Sequence, residues 1–248
     1  VVHRYDDSVC GRVVTVWSAT RLAAYFDATI SYDDGTFGPP DRPRYNVAPT
    51  HALWTLIMDR DEHRLLVPCR WGLIPSWAKD VSGASKLINA RSESLFDRPT
   101  YRPLLARHRC VVPVDGFYEW GPGKRPQFIH DPSDTPVELA GLWTTWRSPE
   151  GDRVRTCTVL TTEATGPLAE IHHRMPVALD PVDTQAWLHP EPLHPDEIGA
   201  VVERARHRAT QRWRWHEVSR AVNKVGEDHA GLIALPTPES AQGQLFSG

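Results

Sequence analysis

The stretch RCVVPVDGFYEW, Arg109–Trp120, carries the first decision about this chain. It is rich in β-branched and aromatic residues, with Glu119 set into an otherwise apolar and aromatic run, and reads as a strand over Cys110–Trp120. Working outward, similar runs bounded by glycine, proline or aspartate place strands at Arg12–Trp17, Leu53–Met58, Leu65–Leu73, Gln127–His130, Leu139–Trp146, Val154–Thr161 and Trp213–Val218. Helices are expected at Thr20–Phe26 behind a Ser18 cap, Arg102–Arg107, Leu168–His172, Val182–Leu188 and Asp196–Arg206. Strands and helices do not alternate regularly, which argues against a parallel doubly wound sheet. The expectation is α+β: a single domain around a curved, barrel-like, mostly antiparallel sheet with peripheral helices.

The chain has 248 residues, 40% of them apolar, enough for one domain with a substantial core. No run of eighteen apolar residues occurs, so no membrane-spanning helix is expected. No charged stretch leads into an apolar one at the N-terminus, so no signal peptide is read and a cytoplasmic location is the default. The net charge of −3 names no partner, but only four of the 28 basic residues are lysine. Arginine is the side chain suited to phosphate forks and to stacking on bases, although a GC-rich coding genome gives the same bias. The segment GTFGPPDRP, Gly35–Pro43, reads as an inserted loop, and 236–248 as a disordered tail.

Four cysteines, Cys10, Cys69, Cys110 and Cys157, show no paired spacing, which argues against a zinc knuckle and against a disulfide framework; no metal and no cofactor is expected. Cys69, Cys110 and Cys157 sit in strand-like runs and read as buried thiols, leaving Cys10 as the chemically available one. Three polar breaks accompany it. Asn89 and Arg91 interrupt INARSE, Ile88–Glu93; Glu119 interrupts the opening strand; His172, His173 and Arg174 interrupt IHHRMP, Ile171–Pro176. Singly, each has a structural explanation: a turn, a buried ion pair, a helix C-terminal histidine. Together, an asparagine, a glutamate, a histidine and a cysteine suffice for covalent chemistry with acid–base help. Trp71 and Trp77, in RWGLIPSWAKD, are either core residues or indole faces for bases, and Arg12, Arg91 and Arg174 would form a phosphate track if they converge.

The ordered set CGR at Cys10, YNVAPT at Tyr45–Thr50, RWGLIPSWAKD at Arg70–Asp80, INARSE, RCVVPVDGFYEW, AGLW at Ala140–Trp143 and IHHRMPV at Ile171–Val177 closely resembles the SOS response-associated peptidase (SRAP) family. The resemblance runs from Cys10 to about Leu235, which marks 10–235 as the family domain. It implies a sensor of abasic sites in single-stranded DNA whose exposed N-terminal cysteine closes a thiazolidine on the sugar aldehyde. It further implies that Cys10 supplies amine and thiol, Asn89 positions the amine, and Glu119 and His172 handle protons. Arg12, Arg91 and Arg174 match positions that hold the DNA backbone, and Trp71 and the Asn46–Pro49 loop match positions near bases; Trp77 is counted with them. His173 departs from the family, which usually carries an acidic residue there. Cys10 also follows nine residues here, read as a leader or as a misassigned start. The rival readings are a cysteine peptidase or self-processing hydrolase and a non-covalent single-strand binder; a monomer is expected.

Overall fold

The computed structural model describes residues 10–32 and 42–235. Residues 1–9, most of the loop expected at 35–43 and the tail expected at 236–248 lie outside the described residues. The strands are β1 Arg12–Thr15, β2 Thr29–Ile30, β3 Arg44–Val47, β4 Ala52–Met58, β5 Arg64–Trp71, β6 Asn89–Arg91 and β7 Arg109–Val114. They continue with β8 Gly116–Gly121, β9 Arg125–His130, β10 Val137–Arg147, β11 Arg153–Glu163, β12 Arg174–Pro176, β13 Ala178–Leu179 and β14 Arg214–Glu217. The helices are α1 Ala19–Phe26, α2 Pro181–Leu188 and α3 Pro195–Arg212.

The expected strand Cys110–Trp120 is in fact two strands in two different sheets. β7 belongs to a ring in which β4, β7, β10 and β11 pair antiparallel in turn, β5 pairs antiparallel with β4, and a parallel β5–β11 pairing closes the circuit. β8 belongs to a second, antiparallel sheet ordered β14-β9-β8-β1-β3. Asp115 makes the corner between them: its carboxylate accepts the backbone N–H groups of Val16 and Trp17, and its own N–H bonds Val14. Gly116 is required directly after it, because a Cβ there would sit 2.5 Å from the Phe128 ring and 2.6 Å from the Ile129 carbonyl. The sequence alternation alone does not show that corner, since both halves are apolar.

Inside the closed ring, Leu53, Ile57, Val67, Cys69, Cys110, Val112, Leu139, Cys157 and Val159 form one core with Val13, Phe117 and Ile129 of the second sheet. The outer wall presents Trp54, Leu56, Leu66, Val111, Leu142 and Leu160 to the helices. This alternation of faces along each strand is why both sides of the barrel read as apolar. α1 starts at Ser18, whose hydroxyl accepts the Arg21 N–H, and buries Leu22 and Phe26 against that wall. α3 is longer than the expected Asp196–Arg206, because its buried stripe Ile198, Val201, Val202, Ala205 and Ala209 keeps helical spacing to the end. The helices expected at Arg102–Arg107 and Leu168–His172 are short 3-10 turns, Arg102–Leu105 and Gly166–Glu170, each beginning with proline in its first turn. No described helix is long and apolar enough to cross a membrane.

Candidate active site at the junction of the two sheets

Cys10 and Gly11 lead into β1, with φ of Cys10 at +52°. The Cys10 backbone N–H donates to Glu119 Oε1 at 2.6 Å, a bond between residues 109 positions apart. β1 and β8 set up this meeting, since Arg12 pairs with Tyr118 and Val13 with Phe117 in antiparallel register. Glu119 is buried, and that burial pushes its carboxyl up to about 8, against the opposing pull of the N–H groups of Cys10 and Trp120. At neutral pH it is therefore largely protonated, the state a general acid needs.

Cys10 is not the available thiol expected from sequence. It is fully buried in the chain that carries residues 1–9, and burial followed by the charge of Glu119 raises its thiol well above the ordinary range. Cys69, Cys110 and Cys157 are buried as expected.

Glu119, His172 and Arg174 line one small cavity, with Ile171, Met175 and Phe117 as its apolar walls. His172 is half-buried, and its Nδ1 accepts the Arg174 N–H at 3.1 Å. His173 is exposed and stacks on the His172 ring at 4.4 Å, so the two adjacent histidines have different surroundings. Asn89 and Arg91 arrive from another direction, because β6 pairs parallel with the end of β11 and sets Arg91 beside Thr161. β12 pairs with that end on its other side and sets Pro176 beside the same Thr161. The C-terminal end of β11 is therefore flanked by Asn89 and Arg91 on one side and by Arg174 on the other.

Arg174 is already engaged. It holds Glu93 in a two-pronged ion pair at 2.8 and 2.9 Å and donates to the Thr161 carbonyl. The sequence reading missed Glu93, although an acid in INARSE and a base in IHHRMP were a signal for such a pair. Arg91, by contrast, is exposed. Arg12 donates to Asn46 Oδ1 at 2.7 Å and to the Val222 carbonyl at 2.8 Å.

Two expected base contacts are corrected. Asn46 is fully buried, and its amide nitrogen lies 2.9–3.1 Å from the carbonyls of Val222, Lys224 and Glu227, so its two N–H groups fasten the C-terminal segment to β3. Trp71 is fully buried too, and its indole N–H bonds the Ile88 carbonyl, the residue before Asn89. It supports the INARSE strand from beneath instead of facing solvent. Pro49 is half-buried in the turn before β4, while Trp77 is 72% exposed and offers its ring outward.

A barrel closed through β5 and β11, an antiparallel sheet across its end and a glutamate buried against a cysteine at their junction define the architecture. Residues 9–225 match the SOS response associated peptidase (SRAP) family, and the chain belongs to it. It is 36% identical over 199 residues to the abasic site processing protein YoqW of Bacillus subtilis, covering 79% of this chain and 87% of that protein. It is 34% identical over 235 residues to the abasic site processing protein YedK of Escherichia coli, covering 91% of this chain and 99% of that one. A crystal structure of a protein from Bacteroides thetaiotaomicron shares the fold with a TM-score of 0.76 at 20% identity, covering 92% of this chain and all of that one.

Proposed function

We propose that this protein processes abasic sites in single-stranded DNA by forming a thiazolidine crosslink through Cys10 as its N-terminal residue. The observation that carries the reading is the 2.6 Å bond from Cys10 N to a buried glutamate held largely protonated. The names of the relatives support the same substrate. The reading requires removal of residues 1–9, because an internal cysteine has an amide where the reaction needs an amine.

A free α-amine ionises near ~7.7–8.0, so a useful fraction is neutral at pH 7. The amine nitrogen attacks the C1′ aldehyde of the ring-opened sugar and passes a proton to the new alkoxide; a proton from Glu119 then lets the hydroxyl leave as water, and the remaining N–H proton returns to Glu119, giving an imine. The Cys10 sulfur then bonds the imine carbon while its proton passes to nitrogen, closing a five-membered ring. Asn89 positions the reacting groups and His172 relays protons. Arg12, Arg91 and Arg174 hold phosphates, and Trp77 stacks on a base, a contact worth roughly 1–3 kcal/mol. The protein acts as a monomer, once per lesion.

The test incubates the processed protein with abasic single-stranded DNA and resolves the products under denaturing conditions. A denaturant-resistant shifted band from the parent, its loss in Cys10→Ala with non-covalent binding retained, and an intact mass beginning at Cys10 are expected. Normal crosslinking by a protein that keeps residues 1–9 in every molecule would overturn the assignment. Within the site, His172→Ala is expected to slow crosslinking more than His173→Ala, and the reverse order would assign the proton relay to His173.

A further inference from the structure

β6, the strand that delivers Asn89 to the candidate site, is three residues long, and among the described strands it pairs with β11 alone. The pairing is parallel, with Asn89 opposite Val159. Successive carbonyls of an extended chain point to opposite sides, so a strand with one neighbour leaves every second carbonyl without a ladder partner. Three residues also supply few ladder bonds, and segments held by few bonds open locally.

The carbonyls around Asn89 are nevertheless all taken, each by a different part of the chain. Leu87 accepts the N–H of Leu73 at 3.0 Å. The Ile88 carbonyl faces β11 and accepts the Val159 N–H at 3.0 Å, and the Trp71 indole N–H reaches the same oxygen at 3.0 Å. The next carbonyl, that of Asn89 itself, therefore points away from β11, to the side where no described strand continues the sheet. There the Tyr101 hydroxyl donates to it at 3.2 Å. One side-chain bond does at this point what a neighbouring strand would do.

Tyr101 is itself firmly held. It stands directly before the 3-10 turn Arg102–Leu105, with its N–H on the Arg98 carbonyl at 3.0 Å and its own carbonyl accepting the Leu104 N–H at 2.9 Å. Its ring is buried in one cluster with Ala90, Leu95 and Leu105. Burial raises the ionisation of the hydroxyl above its ordinary value, which keeps it a donor at neutral pH. A phenylalanine ring would fill the same space, so it is the hydroxyl that ties this turn to Asn89.

We propose that Tyr101 is a positioning residue that acts through Asn89: its hydroxyl closes the free edge of β6 and holds the Asn89 peptide, and with it the side-chain amide, in the orientation the reacting groups require. The inference rests on the role given to Asn89 under the thiazolidine reading. A group of that kind must be held to within about 0.5 Å, and a supporting hydrogen bond is what sets such a tolerance.

Two measurements on the processed protein test it. In single-turnover crosslinking to abasic single-stranded DNA over a range of protein concentrations, Tyr101→Phe is expected to lower the maximal rate about three- to tenfold while the half-saturating concentration stays within about twofold. In the Asn89→Ala background the same substitution is expected to change the rate by less than about twofold, since the group it positions is gone. The second measurement needs no DNA. The side-chain amide signals of Asn89 in a nitrogen–proton correlation spectrum, assigned by their loss in Asn89→Ala, are expected to be sharp and single in the parent and broadened or doubled in Tyr101→Phe. An unchanged amide signal, a parental maximal rate in Tyr101→Phe, or the same slowing in the Asn89→Ala background would overturn the proposal. If the parent forms no crosslink, the thiazolidine reading fails and the amide signals alone decide whether Tyr101 holds Asn89.

Discussion

Glu119 and Glu138 leave 4% and 3% of their surface exposed, and burial raises the carboxyl of each. Their partners set them apart. Glu138, at the start of β10, accepts hydrogen bonds from the hydroxyls of Tyr25 and Thr184, tying α1 and α2 to the barrel wall. Both partners are themselves fixed by helices, so this carboxyl is a finished joint. Glu119 instead accepts the N–H of Cys10, the first described residue of the chain, and shares a cavity with His172 and Arg174. The comparison teaches that a buried, raised carboxyl marks a reactive site only where its hydrogen-bond partner can itself take part in chemistry.

Crosslinking gives the sharpest break between the two. Glu119→Gln keeps the volume and removes the transferable proton, and is expected to slow adduct formation by about 10²–10⁴-fold, the usual worth of a general acid. Glu138→Gln is expected to leave the rate within about twofold. Single-turnover kinetics on abasic DNA decide it, and equal rates for parent and Glu119→Gln would falsify the acid role.

Stability reverses the order. Glu138→Gln puts an amide N–H₂ where one of two hydroxyl donors now finds an acceptor, a mismatch costing about 1–3 kcal/mol and read as a lower denaturant midpoint. Glu119→Gln acts through pH. A carboxyl whose folded pKa stands at about 8, above the ordinary 4.5, contributes its stability fully below pH 4.5 and loses it as pH rises toward 8, since the unfolded chain ionises first. Melting temperatures of the chain carrying residues 1–9 should therefore show the variant gaining on the parent between pH 5 and pH 8.5. A difference that does not change with pH would mean that folding does not raise the Glu119 carboxyl, and would remove the basis of its acid role.

The sequence contained the strands of the barrel and the polar breaks of the site, because β-branched runs and misplaced charges are local signals. Val111–Val114 and Phe117–Trp120 were legible as strand, whereas the change of sheet at Asp115 rests on N–H groups a hundred residues away. Likewise Trp71 and Asn46 carried recognisable motifs, but a motif does not state which way a side chain faces. Their burial follows from the closure of β5 on β11 and from the C-terminal segment crossing β3, both long-range events. β6 and β12, three residues each, are too short to show a period, so their convergence on the end of β11 was visible only in three dimensions.

The smallest effect expected concerns how Arg174 of the proposed phosphate track is held before DNA arrives, and it extends the comparison to a third glutamate. Glu93 is half-exposed, and the Arg174 guanidinium draws its carboxyl below the ordinary value against the effect of partial burial. It occupies both prongs of Arg174, the same geometry a phosphate would take. A bound strand must therefore displace Glu93 or accept a weaker, shared contact. Glu93→Gln removes the competing charge while keeping a hydrogen-bond acceptor, and the non-covalent affinity for undamaged single-stranded DNA is expected to rise by about two- to fivefold, the range of a partly exposed ion pair. The gain should shrink as salt rises, because screening weakens the Glu93 competition and the phosphate contact together. Fluorescence anisotropy at low and moderate salt measures both quantities. A fall in affinity instead of a rise would mean that Glu93 holds Arg174 in its binding pose, making the pair a positioning contact and not a competitor.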